Sequence, residues 1–496
     1  MRFAQLCLLG LTSALAVSQV IAAPSSASDL VGRATGKKPS DFAVADRVPG
    51  IPFSLGKSWA GNLPITNKKD DPNQLFFWLF PPSEGVGHDD VVVWLNGGPG
   101  CSSLEGLFQE NGPFKFPFNS TKVEKNPWSW TRLSWVLWVE QPVTVGLTKG
   151  KSDITNEVDV AREFTGFLKN FFKTFDNLHG KKFWLTGESY AGKYIPYMSD
   201  YIYADKTAKK AGINLQGFGI NDPSFAEDPI TEDLPAIEFA KAHQKLFHFN
   251  DSYIAELESK AEANGIKDYV KKHLVYPPPG PLPIPKKWNR TEFSPWTEIL
   301  TTATDLNACF NVYDVSPPYA QCPGVSDALG FPPDKLEPSP MNVINDIKGL
   351  KKAIHADPSI TWYECTPQGP FLGDGDTSPG PSESGVLKRA IEKSPAKRNV
   401  IQHGLRDYVL IAQGSALAIQ NTTWNGKQGF QRKPNQSLLT VNGTKAGTFH
   451  TERGLTFVEV INSGHMIPQD DPPTAFKLQK YLLGQIPEAA LALPGV

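Results

Sequence analysis

With 496 residues, 40% hydrophobic and 20% charged, the chain has a globular composition and enough length to bury a large core. A formal charge of -2 and a pI near 6.5 give no electrostatic argument for nucleic acid or an anionic membrane as partner. Basic pairs such as Lys181-Lys182 are not sustained into runs and read as solvated faces.

Arg2, the apolar stretch Leu6 to Val20 and the small-residue exit Ala22-Ala23 predict a secretory signal peptide over 1–22, cut after Ala22 or Ala23. Thr12, Ser13 and Ser18 interrupt its apolar part, which argues against a permanent anchor, and no later stretch is long and apolar enough to span a bilayer. Cys7 leaves with the signal. Cys101, Cys309, Cys322 and Cys365 remain, an even number in an oxidising compartment, which predicts two disulfides with three pairings open. Glycosylation triplets begin at Asn119, Asn250, Asn289, Asn421, Asn435 and Asn442. These features predict a secreted glycoprotein, with the vacuole as the alternative destination.

Residues 23–46 are rich in Ser, Lys and Ala and read as an N-terminal arm or short propeptide. From there to 222 a first core segment is expected. Leu75 to Phe80, Val91 to Leu95 and Val136 to Val139 are short apolar runs suited to strands covered on both faces. Val160, Phe164, Phe167, Leu168, Phe171 and Phe175 share one helical face, which suits packing on a sheet better than lining a pocket. Lys182 to Thr186 reads as a strand and Tyr190 to Tyr203 as a helix interrupted by Pro196. Residues 223–340 turn helical and contain the stiff, donor-poor run Pro277 to Pro285, as expected of an inserted cap. Strands resume in 341–496 at Arg398 to Gln402 and Leu455 to Ile461. Strands and helices alternating around a helical insertion predict an α/β fold with a mainly parallel sheet and a cap.

The chemistry gathers at the strand ends. Gly187-Glu188-Ser189-Tyr190-Ala191-Gly192 lies between a strand and a helix, where a sharp turn presents a serine Oγ above the sheet. A serine in a glycine-rich turn is more often structural, so its partners decide the reading. A hydroxyl needs a base, and the base is best oriented by a carboxylate. Of nine histidines only His465 lies in a tight Gly-containing loop directly after a late strand, and Asp407 sits just beyond the strand before it. Taken singly, each is explained as a loop histidine or a turn-capping aspartate. Jointly they keep the order serine, acid, base, each near a strand end. Asn96-Gly97-Gly98-Pro99-Gly100-Cys101 follows the strand 91–95 and offers bare backbone, making Gly98 N–H and Tyr190 N–H the natural oxyanion donors. The loop lacks the lysine and spacing of a phosphate-binding loop.

Trp94 to Ser103, Gly187 to Gly192 and Ser463 to Pro468 resemble the serine carboxypeptidases, particularly the fungal acid enzymes. The likeness continues through Asn111 to Pro113, Asn126 to Trp130, Glu140 to Pro142 and Cys309 to Asp314, nearly the whole mature chain. It implies an α/β-hydrolase fold with an inserted helical cap, and a peptidase that removes residues one at a time from peptide or protein C-termini at acid pH. It implies Ser189, Asp407 and His465 as triad and Gly98 and Tyr190 as oxyanion hole. Asn96, Glu110 and Glu188 would bind the terminal carboxylate, which requires at least one of the two glutamates to hold a proton. The resemblance also implies a Cys101–Cys365 bridge, and short separation then favours Cys309–Cys322. No metal or organic cofactor is called for. The rival readings are an acyltransferase or esterase on the same scaffold, and an inactive binding homologue. Departures from the family pattern are Gly404-Leu405-Arg406-Asp407, where an acid usually follows the glycine, Glu140 for the commoner aspartate, and Thr144 where glycine is usual. The latter two are expected to alter the pocket wall.

Overall fold

Successive side chains of the central strands enter opposite buried layers. In β3 (Gln74–Phe80), Leu75, Phe77 and Leu79 join one apolar cluster while Phe76, Trp78 and Phe80 join another. β4 (Asp90–Leu95) repeats the division, with Val91, Val93 and Leu95 against Val92 and Trp94. This two-sided burial is why these runs read as continuously apolar rather than alternating. The computed structural model describes residues 36–495 except 69, 84, 86, 321, 323–325 and 330–341, so the signal segment and most of the arm lie outside the described residues.

An 11-stranded sheet forms the centre. Its remaining strands in chain order are β1 (Ala43–Val44), β2 (Ser58–Pro64), β5 (Trp135–Glu140), β6 (Lys182–Glu188), β7 (Asn214–Asn221), β8 (Asn399–Gly404), β9 (Gln436–Leu439), β10 (Lys445–Glu452) and β11 (Leu455–Val460). Across the sheet the order is β1-β2-β3-β5-β4-β6-β7-β8-β11-β10-β9. The run from β5 to β11 is parallel. Both flanks are antiparallel. The expected parallel sheet is thus its middle, and the antiparallel margins are an addition to it. The end of the segment set apart as an arm supplies β1, which pairs Ala43 with Trp59.

α1 (Glu157–Thr174) starts where Asn156 accepts from Val158 and Asp159 N–H. Its phenylalanine stripe packs on the sheet: Phe171 meets Phe77 with ring centroids 5.7 Å apart, and Phe175 meets both Phe77 and Phe42. Each buried ring contributes roughly 1.5–3 kcal/mol, so the stripe is accounted for as core. α2 (Ala191–Ala204) lies beside α1, and the opposite face is covered by Phe476, Leu478 and Tyr481 of the helix Pro472–Leu482. Between β7 and β8 the described residues are helices and loops, including α3 (Leu234–Ala242), α4 (Asp251–Asn264), α5 (Tyr269–His273) and α6 (Pro295–Leu306). The proline run 277–285 crosses this region without regular structure. No helix among the described residues is long and apolar enough to cross a membrane.

Candidate active site

β6 ends at Glu188, and Ser189 follows at φ 59° before α2 begins. That left-handed backbone is costly for a residue with a Cβ, and the surroundings over-determine it. Ser189 N–H donates to Asn221 O at 3.0 Å, while Ser189 O accepts from Gly192 and Ser224 N–H at 2.8 and 2.9 Å. A Cβ at Gly187 would stand 2.3 Å from Leu95 O and 2.8 Å from the Ala191 Cβ, so the turn needs glycine at 187 and tolerates alanine at 191.

Asp407 and His465 are delivered beyond the ends of β8 and β11, at the same edge of the parallel sheet. His465 Nδ1 lies 2.6 Å from Asp407 Oδ2, and His465 N–H donates to Tyr313 O at 2.7 Å. A carboxylate accepts, so Nδ1 carries the proton and Nε2 is left with its lone pair. Burial pushes the Asp407 carboxyl up, but His465 and His403 outweigh it and hold it below its ordinary range. Among the described residues no hydrogen bond joins Ser189 Oγ to His465, a link that commonly tightens only with substrate bound.

The 96–101 loop presses directly on the serine turn. A Cβ at Gly97 would lie 2.4 Å from Tyr190 N and 2.6 Å from Ser189 Cβ. Gly98 (φ 111°) and Tyr190 donate their N–H groups to no backbone acceptor among the described residues. The loop is pinned from outside by the Cys101–Cys365 disulfide, by Thr366 N–H on Gly100 O at 2.9 Å and by Ser102 N–H on Glu364 O at 2.7 Å. A second disulfide joins Cys309 and Cys322.

Asn96 is oriented by its neighbours. Its Oδ1 accepts from Trp94 Nε1 at 2.8 Å and Gly106 N–H at 3.2 Å, so its amide nitrogen faces Glu188 Oε1 at 2.8 Å and Glu105 Oε2 at 3.2 Å. Both oxygens of buried Glu110 and Oε2 of Glu188 meet no donor. Burial is the main cause pushing both carboxyls well above the ordinary range, reinforced by Glu105; Glu110 raises Glu188 further, whereas the nearby Glu188 and Asn96 offset part of the rise at Glu110. Asn96, Glu110 and Glu188 therefore form one buried cluster beside the serine turn, in which the two carboxyls favour the protonated form. Glu105, pushed up to about 8 by burial and by Asp327, belongs to the same cluster and was missed in the sequence. Its only signal was a position five residues before Glu110, in the same helical stretch.

Glu140 is fully engaged with the chain around it. It is buried beneath the 96–101 loop, accepting from Ser102 Oγ, Leu147 N–H and Trp362 Nε1, and burial pushes it up to about 7. Thr144 is exposed at φ 91°, which explains why glycine is usual there. Asn119, Asn250, Asn289, Asn435 and Asn442 are exposed, whereas Asn421 is half-buried with Oδ1 accepting from Leu282 N–H.

A serine raised between a parallel strand and a helix, with an aspartate–histidine pair at the ends of later strands, defines an α/β-hydrolase of the serine type. More narrowly, the chain belongs to the serine carboxypeptidase family (Peptidase S10), which it matches over residues 49–485. It is 40% identical over 486 residues to a "Probable serine carboxypeptidase" of Arthroderma benhamiae, covering 93% of this chain and 90% of that one. It is 36% identical over 470 residues to serine-type carboxypeptidase F of Aspergillus niger, covering 89% and 86%. Among solved structures, the prohormone-processing carboxypeptidase KEX1 of Saccharomyces cerevisiae shares the fold at a TM-score of 0.66 and 21% identity, covering 91% of this chain and 97% of that one.

Proposed function

We propose that Ser189, His465 and Asp407 carry out C-terminal peptide hydrolysis through an acyl-enzyme, with Asn96, Glu110 and Glu188 holding the substrate's free carboxylate. Ser189 Oγ attacks the last peptide carbonyl while His465 Nε2 takes its proton. Gly98 and Tyr190 N–H groups receive the oxyanion. The C–N bond then breaks, the proton passes from His465 to the departing amino acid, and water releases the acyl group by the same steps in reverse.

The observation that carries this reading is the Asn96–Glu188–Glu110 cluster: carboxyls that retain protons in a buried site are donors suited to a carboxylate and wasted on an ester. It favours a peptidase over an acyltransferase or esterase on the same scaffold. As pH rises the cluster ionises and repels the substrate, which is the physical basis for acid activity. Secretion as a glycoprotein is part of the same proposal, supported by the leader pattern and the exposed triplets. The test compares an N-blocked peptide with a free C-terminus against its C-terminal amide at mildly acid pH. Stepwise loss from the free acid is expected; equal rates on both, or turnover of simple esters alone, refute the assignment.

A further inference from the structure

Asp407 is held by more than His465. Its Oδ1 accepts from Leu410 N–H at 3.2 Å, and the Oδ2 that meets His465 also lies 3.4 Å from His403 Nε2. His403 sits on β8, fully buried, with Nε2 2.7 Å from Leu410 O and Nδ1 2.9 Å from Ser415 Oγ. A carbonyl can only accept, so Nε2 carries a proton, and that N–H also faces Asp222 Oδ1 at 3.5 Å. Asp222 follows β7 at φ 44°, also fully buried. Its N–H donates to Gln402 O and its Oδ1 accepts from Gly404 N–H, both at 2.7 Å, while Oδ2 meets no donor. Asp222, His403 and Asp407 each present an atom within 4.8 Å of the others.

Two carboxylates this close in a dry interior do not both ionise. Asp407 accepts from His465 and Leu410, while His403 Nε2 stands at near-equal distance from both carboxylates. Asp222 has one backbone N–H and an orphaned oxygen. We infer that Asp222 is a positioning residue, a neutral carboxylic acid that donates a hydrogen bond to Asp407 and, together with His403, holds that carboxylate in the orientation that meets His465. The inference rests on Asp407 and His465 being the catalytic pair. The trio does not suit a cation, because both His403 nitrogens and Asp407 are already committed. Burial and then the Asp407 charge push the Asp222 carboxyl well above its ordinary range, in keeping with a retained proton. The charged and titratable groups facing Asp222 are Asp407, His403, the more distant Asp470, and Glu188 at the end of β6. All the carboxyls among them disfavour its ionisation. Once Asp222 does ionise, the donor is lost and a second negative charge stands beside the Asp407 carboxylate, which is then no longer held in the orientation that meets His465.

The test uses an N-blocked ester substrate, whose binding does not depend on Glu110 and Glu188, with kcat and KM measured across pH on the full-length protein. Asp222→Ala is expected to lower kcat by about tenfold or more with KM changed less than about threefold. Asp222→Asn keeps an acceptor for Gly404 and a permanent donor for Asp407, so it recovers most of that loss. Because it cannot ionise, its kcat persists about one pH unit or more further into the alkaline range than that of the unsubstituted enzyme. Circular dichroism and thermal melting identify any variant that fails to fold, and the Asn profile decides the matter if Ala does. The inference is overturned if Asn loses as much kcat as Ala, or if its alkaline limb coincides with that of the unsubstituted enzyme. His465→Ala in the same assay separates the two levels: turnover there sinks the catalytic pair itself.

Discussion

Replacing both Glu110 and Glu188 by Gln should flatten the pH dependence of peptide binding. On the proposed role of this pair, one proton must be retained for the substrate carboxylate to be accepted, since Glu110 has no donor on either oxygen and Glu188 has one only on Oε1. Above the apparent pKa of the pair, each pH unit then costs about 1.4 kcal/mol, or about tenfold in KM. Over two pH units above that apparent pKa the KM for a free-acid peptide can therefore rise up to about 100-fold. Glutamine keeps an acceptor for Asn96 Nδ2 and supplies a donor that never ionises, so the double variant should change KM by less than about threefold over the same range. Truncating Glu110 to Ala removes the donor instead, and should cost about 1.5–3 kcal/mol of binding at acid pH. The assay is steady-state hydrolysis of an N-blocked dipeptide, with its C-terminal amide as the uncharged control. A peptide KM that is flat in the unsubstituted enzyme, or equally steep in the double variant, refutes the reasoning.

Ser189→Ala should lose at least about 10³-fold in turnover, along with fluorophosphonate labelling, while melting within about 2 °C of the parent; parental turnover in a contaminant-free preparation would overturn its role. Thr144→Gly should raise stability by about 1 kcal/mol in urea titration, because relief of the φ 91° backbone exceeds the entropy glycine adds to the unfolded chain, and a loss would show that the strain is not there. Removing the Cys101–Cys365 bridge by double Ala substitution should cost about 2–4 kcal/mol and lower kcat more than KM, since the oxyanion loop is one of its anchors; an unchanged kcat counts against that link. Stability should fall as pH rises. Glu105, Glu140 and Asp470 keep protons in the fold up to about 8, 7 and 7, whereas the unfolded chain releases them in the ordinary carboxylate range. Their effect is absent below the ordinary carboxylate range, 3.8 for Asp470 and 4.5 for the glutamates, and grows toward neutrality, with Glu140 alone accounting for roughly 3 kcal/mol. Equal urea midpoints at acid and neutral pH would contradict this.

Features legible in the sequence were those with local causes. Apolar runs such as Leu75 to Phe80 declare two-sided burial by composition, and the small residues around Ser189 declare a crowded turn. Strand ends at Glu188, Gly404 and Val460 fall where the apolar runs stop. Glu105, Asp222 and His403 were illegible because nothing beside them in the chain differs from a surface acid or an ordinary strand histidine. Their character comes from burial and from partners such as Asp407, 185 positions from Asp222 along the chain. The hydrogen bonds of Glu140 to Ser102, Leu147 and Trp362 are illegible for the same reason, since Trp362 is 222 positions away.

The placement of β11 has a consequence for biosynthesis. It lies in the sheet between β8 and β10, and His465 follows directly after it, whereas the serine turn is complete at residue 192. A growing chain therefore carries its reactive serine through more than half of its synthesis without a base to activate it. The helical insertion is also synthesised between the two halves of the sheet, before β8 and β11 are available to add to β7. Such long-range parallel pairing is slow to form. The arrangement therefore delays activation of the serine until the sheet closes.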